Sequence, residues 1–113
     1  MEEYIVLDIE SPNTLTRSIS SIGIVRVKND KQIDAIYSLI NPDDFFEPEI
    51  ISLTGISPEM VKNAPKFNEF WSNIEDLLLN YPIIGHNINY DLTVISRTLE
   101  RYGIKVPTFE YIC

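Results

Sequence analysis

The chain has 113 residues, 44% hydrophobic and 23% charged, with a mean hydropathy of -0.03. That balance predicts a single folded domain over residues 1–113 and excludes a disordered or low-complexity chain. Nine basic against seventeen acidic side chains give a formal charge of -8, which excludes the broad positive footprint of a duplex-coating protein. A nucleic acid held locally through divalent cations stays compatible with that charge.

The single cysteine, Cys113, rules out an intrachain disulfide and a cysteine-rich zinc site. No apolar run is long enough to span a bilayer, and the acidic start lacks the basic region and long apolar core of a secretory signal. The expectation is a cytoplasmic protein without a membrane partner.

The first element is the apolar run YIVLDIE at residues 4–10, short and rich in β-branched residues, which reads as a buried strand. Side chains alternate along a strand, so Asp8 and Glu10 share one face at its end. Two ionised carboxylates side by side cost several kcal/mol unless a cation or strong donors compensate them, and a divalent metal meets that need. Taken alone, the pair reads first as a strand end turned to solvent or to arginines, and the motifs further along the chain reverse that order.

Residues 11–18, SPNTLTRS, form a polar loop beside the carboxylates. Strands are predicted over 20–27 and 32–40, joined by the polar turn KNDK at 28–31, so the chain opens as a three-stranded meander. Pro42 and the aspartates at 43 and 44 end the third strand. Ser57, Pro58 and Glu59 read as a capped helix start, with Ile56 and Val61 as its hydrophobic staple. Phe67, Phe70, Trp71, Ile74, Leu77 and Leu78 recur at spacings of three and four, giving a helix whose aromatics belong to the core.

PIIG at 82–85 reads as a short buried strand, followed by a helix with Ile88, Leu92, Ile95, Leu99 and Tyr102 on one face and Gly103 at its end. Asn87 or Asn89 is its expected cap. Asp91 then lies in the first turn, off the apolar stripe, where the helix dipole also favours a carboxylate. His86 is assigned a structural hydrogen bond in the strand-to-helix turn. The order of elements predicts an α/β domain with a mixed sheet and helices packed on it. If the short strand neighbours the first one, Asp91 joins Asp8 and Glu10, an oxygen-only set suited to magnesium or manganese.

These segments resemble the DEDD 3′→5′ exonucleases, the family typified by the proofreading epsilon subunit of bacterial DNA polymerase III. VLDIES at 6–11 is similar to the family's first motif, GHNINYD at 85–91 to its second, and LTGISPEMVKNAPKF at 53–67 to the segment between them. The resemblance covers essentially the whole chain. It implies a ribonuclease H-like exonuclease fold and two-metal hydrolysis of terminal phosphodiesters of DNA, with RNA left open as the alternative substrate of the same chemistry.

By this resemblance Asp8 bridges both metals, Glu10 binds the first and touches the terminal 3′-hydroxyl, and Asp91 holds the second through water. The cofactors are two divalent cations, Mg2+ or Mn2+. Leu53 and Thr54 contact the terminal nucleotide, with Ser11, Asn87 and Tyr90 as further substrate-binding candidates. The partners implied are single-stranded 3′ ends and a DNA polymerase.

The family's third motif, a histidine base and a fourth aspartate on a later helix, has no counterpart, since the carboxylates after Asp91 are Glu100 and Glu110. The expectation is a domain whose C-terminal part is missing, inactive or nearly so alone, with apolar surface left uncovered. The alternative is a non-catalytic module of the same fold that binds nucleic-acid ends or a polymerase. Three retained carboxylates favour the enzyme, because a scaffold has no need of a costly acidic cluster.

Overall fold

A computed structural model describes residues 2–112. Cys113 lies outside the described residues. The strands are β1 (Glu3–Glu10), β2 (Ser21–Lys28), β3 (Lys31–Leu39), β4 (Ile83–Ile84) and β5 (Tyr111–Ile112). The helices are α1 (Pro48–Thr54), α2 (Pro58–Val61), α3 (Phe67–Asn80) and α4 (Ile88–Arg101).

One five-stranded sheet runs in the order β3-β2-β1-β4-β5. β1, β2 and β3 are antiparallel neighbours, whereas β4 pairs parallel to both β1 and β5. The meander and the mixed sheet are as the sequence predicts, with boundaries displaced by about one residue. The turn between β2 and β3 is tighter than the four residues read from sequence. Only Asn29 and Asp30 lie between the strands, both with positive φ (51° and 65°), the paired left-handed conformation that suits the twist of a two-residue hairpin.

Alternation along β1 divides its residues between two faces. Ile5 and Leu7 are buried and join Ile22 and Ile24 of β2, while α3 contributes Phe67, Trp71, Ile74 and Leu78 to the same core. Ile88, Leu92, Ile95 and Leu99 of α4 complete that core. The aromatics of α3 therefore pack inside, with Phe67 and Trp71 rings 5.9 Å apart. The opposite face of β1 carries Val6, Asp8 and Glu10 and stays open, for Val6 is 38% exposed. On the outermost strands, β3 and β5, the same face exposes Tyr37 and Ile112.

Two helices depart from the sequence expectation. α2 has four residues, and Ser57 stands at its N-cap without a side-chain hydrogen bond, so the hydroxyl cap is not formed. Ile56 and Val61 are nevertheless both buried. α1 is an additional helix, begun by Pro48 and ended by Gly55, whose φ of 76° lets its N–H reach the Ile51 carbonyl at 2.8 Å.

Candidate functional site

β1 and β4 are parallel, with Ile5 opposite Ile83 and Val6 opposite Ile84, so both strands end at the same edge of the sheet. Open α/β sheets build their sites beyond the carboxyl ends of such strands. β1 ends in Asp8 and Glu10, and β4 passes through Gly85, His86 and Asn87 into α4. The turn is close, since a Cβ on Gly85 would stand 3.3 Å from Ile88 Cδ1. Asp91 falls in the first turn of α4.

The carboxylates interact electrostatically. Burial, then the charges of Asp8 and Glu10, raise the Asp91 carboxyl from 3.8 to about 6. Glu10 is raised by its own burial and then by Asp8. Asp8 itself is exposed on the open face, opposite Gly23, which adds no side chain there. Among the described residues, however, no three His, Cys, Asp or Glu side chains are gathered closely enough to hold a metal ion. The three repel one another across a shared space instead of forming a closed ligand cluster. Their donor chemistry fits a hard divalent cation, because oxygen-only carboxylates favour such ions and a cation relieves the repulsion.

The other candidate residues divide by location. Asn87 and Tyr90 adjoin Asp91, both exposed. Asn87 occupies the N-cap in a left-handed conformation (φ 59°, ψ 34°) and makes no side-chain cap bond, contrary to its expected capping role. Leu53 is 81% exposed at the end of α1. The Thr54 hydroxyl is engaged locally, donating to the Ile50 carbonyl at 2.9 Å and accepting from the Ile56 N–H at 3.1 Å. Ser11 follows β1 directly, and no side-chain hydrogen bond joins it to the carboxylates among the described residues. His86 is exposed and makes no hydrogen bond among the described residues, so the structural bond expected of it is not formed.

The polar sequence of the loop over 11–18 shows no internal order, and the structure supplies one. The Asn13 side-chain carbonyl accepts from the N–H groups of Leu15 and Thr16, while its amide donates to Asp44 Oδ2 at 3.2 Å and to the Phe45 carbonyl at 3.0 Å. Asp44 also accepts from the hydroxyls of Thr16 and Ser18. Burial by itself would raise the Asp44 carboxyl, but the donors Thr16, Ser18, Phe45 and Asn13 together hold it below its ordinary value. Glu47, at the start of α1, accepts from the N–H and hydroxyl of Thr14, and its own N–H donates to the Pro12 carbonyl. The loop behind the carboxylates is thereby pinned to α1.

α4 holds the far end of the loop. The single hydroxyl hydrogen of Thr98 is shared between the Val94 carbonyl at 2.8 Å and the Arg17 carbonyl at 3.0 Å, and Arg101 Nη2 donates to the Thr16 carbonyl at 2.7 Å. The Arg17 guanidinium lies over the Tyr90 ring, 5.1 Å from its centroid. Sequence reasoning does not single out Arg17, because a lone arginine in a polar loop carries no periodic signal.

The profile of the RNase_T exonuclease family matches residues 5–113. The chain belongs to that exonuclease family. It is 36% identical over 104 residues to the 3′-5′ exonuclease DinG of Staphylococcus epidermidis, a match covering 90% of this chain and 12% of that protein. It is 31% identical over 106 residues to the PolC-type DNA polymerase III of Caldanaerobacter subterraneus subsp. tengcongensis, covering 92% of this chain and 8% of that protein. The chain thus spans only a small part of these curated relatives. Among solved structures, the zinc-bound form of the E. coli exonuclease I complex with single-stranded DNA superposes with a TM-score of 0.79 at 18% identity, covering 93% of this chain and 25% of that one. The architecture is the ribonuclease H-like fold of the exonucleases. No helix among the described residues is long and apolar enough to cross a membrane.

Proposed function

We propose that this chain carries the metal-dependent half-site of a 3′→5′ exonuclease acting on the terminal phosphodiesters of single-stranded DNA. The observation that carries the reading is the convergence of Asp8, Glu10 and Asp91 at one sheet edge, where burial and mutual repulsion raise Asp91 to about 6. Asp8, Glu10 and Asp91 would hold divalent cations, Mg2+ or Mn2+. Such ions, when bound, supply the positive charge that activates water and stabilises a leaving oxygen.

The protein's own part is positional. β1 sets Asp8 and Glu10 on one face, and α4 brings Asp91 to them from the neighbouring strand. Ser11, Leu53, Thr54, Asn87 and Tyr90 are proposed to contact the nucleic-acid end. Membership in the exonuclease family and the likeness to a DinG 3′-5′ exonuclease support the activity. Likeness to a PolC-type polymerase supports association with a DNA polymerase; a cytoplasmic location and a single exonuclease domain over residues 1–113 are part of the same proposal.

A second reading, a non-catalytic module that binds nucleic-acid ends, is favoured by one observation: the carboxylates are not drawn into a closed ligand cluster. Calorimetric titration with Mn2+ separates the two. The exonuclease reading expects binding that is abolished in Asp8→Ala and Asp91→Ala. Absence of Mn2+ binding by the unaltered chain would sink it and leave the binding module.

A further inference from the structure

The chain has four arginines, and three of them form ion pairs: Arg26 with Glu3 and Asp34, Arg97 with Glu100, and Arg101 with Asp44. Arg17 forms none among the described residues, although the chain carries eight more acidic than basic groups. Its charge is instead placed over the exposed ring of Tyr90, the residue beside Asp91.

The placement is held from behind. Arg17 has a left-handed backbone (φ 57°), a conformation that disfavours side chains other than glycine and persists only where its surroundings enforce it. Thr98, itself 2% exposed, shares its hydroxyl hydrogen between this carbonyl and that of Val94, and Arg101 donates to the carbonyl before it. The Asp44 network with Asn13, Thr16 and Ser18 fixes the same loop on its other side. Thr98 and Asp91 stand on one helix, two turns or about 10 Å apart. The arginine side chain therefore runs back along α4, from the level of Thr98 to the helix start where the carboxylates meet.

We propose that Arg17, held over the Tyr90 ring, is a substrate-binding residue that engages a backbone phosphate of the nucleic-acid strand entering the carboxylate site. This rests on the nucleic-acid reading above. A planar guanidinium can stack on an aromatic face and still present its N–H fork to a phosphate, which a lysine cannot do equally well. In so acidic a chain, a strand approaching three carboxylates meets net repulsion, and an unpaired fixed cation at the rim offsets it. The held loop also means that little backbone freedom remains to be lost on binding.

The test is fluorescence anisotropy of a short 5′-fluorescein oligothymidylate with the whole chain in Mn2+, at several salt concentrations. Arg17→Ala should weaken binding about tenfold or more. It should also reduce the salt slope by about 0.7 for each phosphate that is no longer neutralised. Arg17→Lys should keep the slope while losing several-fold in affinity, and Arg17→Gln should behave as the alanine variant does. Mn2+ affinity and thermal melting, measured without oligonucleotide, should not change in any of them.

A salt slope equal to that of the unaltered chain in both Arg17→Ala and Arg17→Gln would overturn the assignment while leaving the metal-site reading intact. Failure of the unaltered, Mn2+-loaded chain to bind the oligonucleotide would overturn it as well. Failure to bind Mn2+ instead counts against the underlying reading, so the two failures are told apart.

Discussion

Asp91 is a half-buried carboxylate facing two others, and replacing it with asparagine should stabilise the chain when no metal is present. Burial first, then Asp8 and Glu10, raise it from 3.8 to about 6. The folded state therefore keeps its proton over a range in which the unfolded state has released it. Stability falls as the pH rises from about 4 to about 6, and the full penalty remains at higher pH. At about 1.4 kcal/mol per unit the ceiling is about 3 kcal/mol. Solvent screens a half-buried group, which lowers the expected cost to about 1–2 kcal/mol. Urea unfolding in EDTA between pH 4 and pH 8 measures it. Asp91→Asn should match the unaltered chain near pH 4 and exceed it by about that amount above pH 6.5. Adding Mn2+ at pH 7 should stabilise the unaltered chain and not the variant, since only a site intact in the folded state gains from the ion. An asparagine variant no more stable than the parent at pH 7.5 would refute the claim that the three carboxylates crowd one another.

Asp44→Ala removes the acceptor shared by Asn13, Thr16 and Ser18, and should cost at least about 2 kcal/mol in urea unfolding. Because those donors hold Asp44 below its ordinary value, its contribution is present above about pH 4 and is lost as acid protonates it. Asp44→Asn should accordingly flatten the acid limb of the stability profile. Asn87→Gly, at a φ of 59°, relieves a left-handed conformation and should leave the chain as stable or more stable by up to about 1 kcal/mol. If Asn87 contacts the nucleic acid, the same variant weakens oligonucleotide binding, which anisotropy reads directly. The open sheet face around Val6, Tyr37 and Ile112 should drive self-association at high concentration, reduced by Val6→Lys. Sedimentation at a mass of 13.0 kDa across the whole concentration range would contradict this.

The carboxylate pair is legible in the sequence because strand alternation is a local rule. Asp8 and Glu10 must share a face once residues 4–10 are read as a strand. The apolar stripes of α3 and α4 are legible for the same reason, as their spacing repeats within one element. α1 is visible in principle through Pro48 and Gly55, but seven residues with no buried member leave no apolar period to detect. Caps are easily overread. Ser57 and Asn87 stand at helix starts, yet neither side chain makes the expected bond, since residue type offers a donor or acceptor without fixing its rotamer. The Asp44 network and the Arg17–Tyr90 contact are invisible in the sequence. Their partners lie 26 to 31 residues apart in the first case and on separate elements in the second, where no periodicity connects them.

α4 has a wider role than a carrier of Asp91. Its buried stripe locks it to the sheet, its first turn delivers a carboxylate to the end of β1, and its last turns donate to the loop that leaves that same strand. A shift of α4 would therefore move Asp91 and Arg17 together, preserving their relation to each other while changing their relation to Asp8. Loss of the Thr98 hydroxyl should act differently from loss of the helix packing. Thr98→Val keeps the buried volume and removes the hydrogen shared between the Arg17 and Val94 carbonyls, of which only the first ties the loop to α4, so Mn2+ binding should persist while oligonucleotide affinity falls several-fold. An equal loss of both would mean that the loop and the carboxylates are not separately held, and that the hydroxyl supports the helix as a whole.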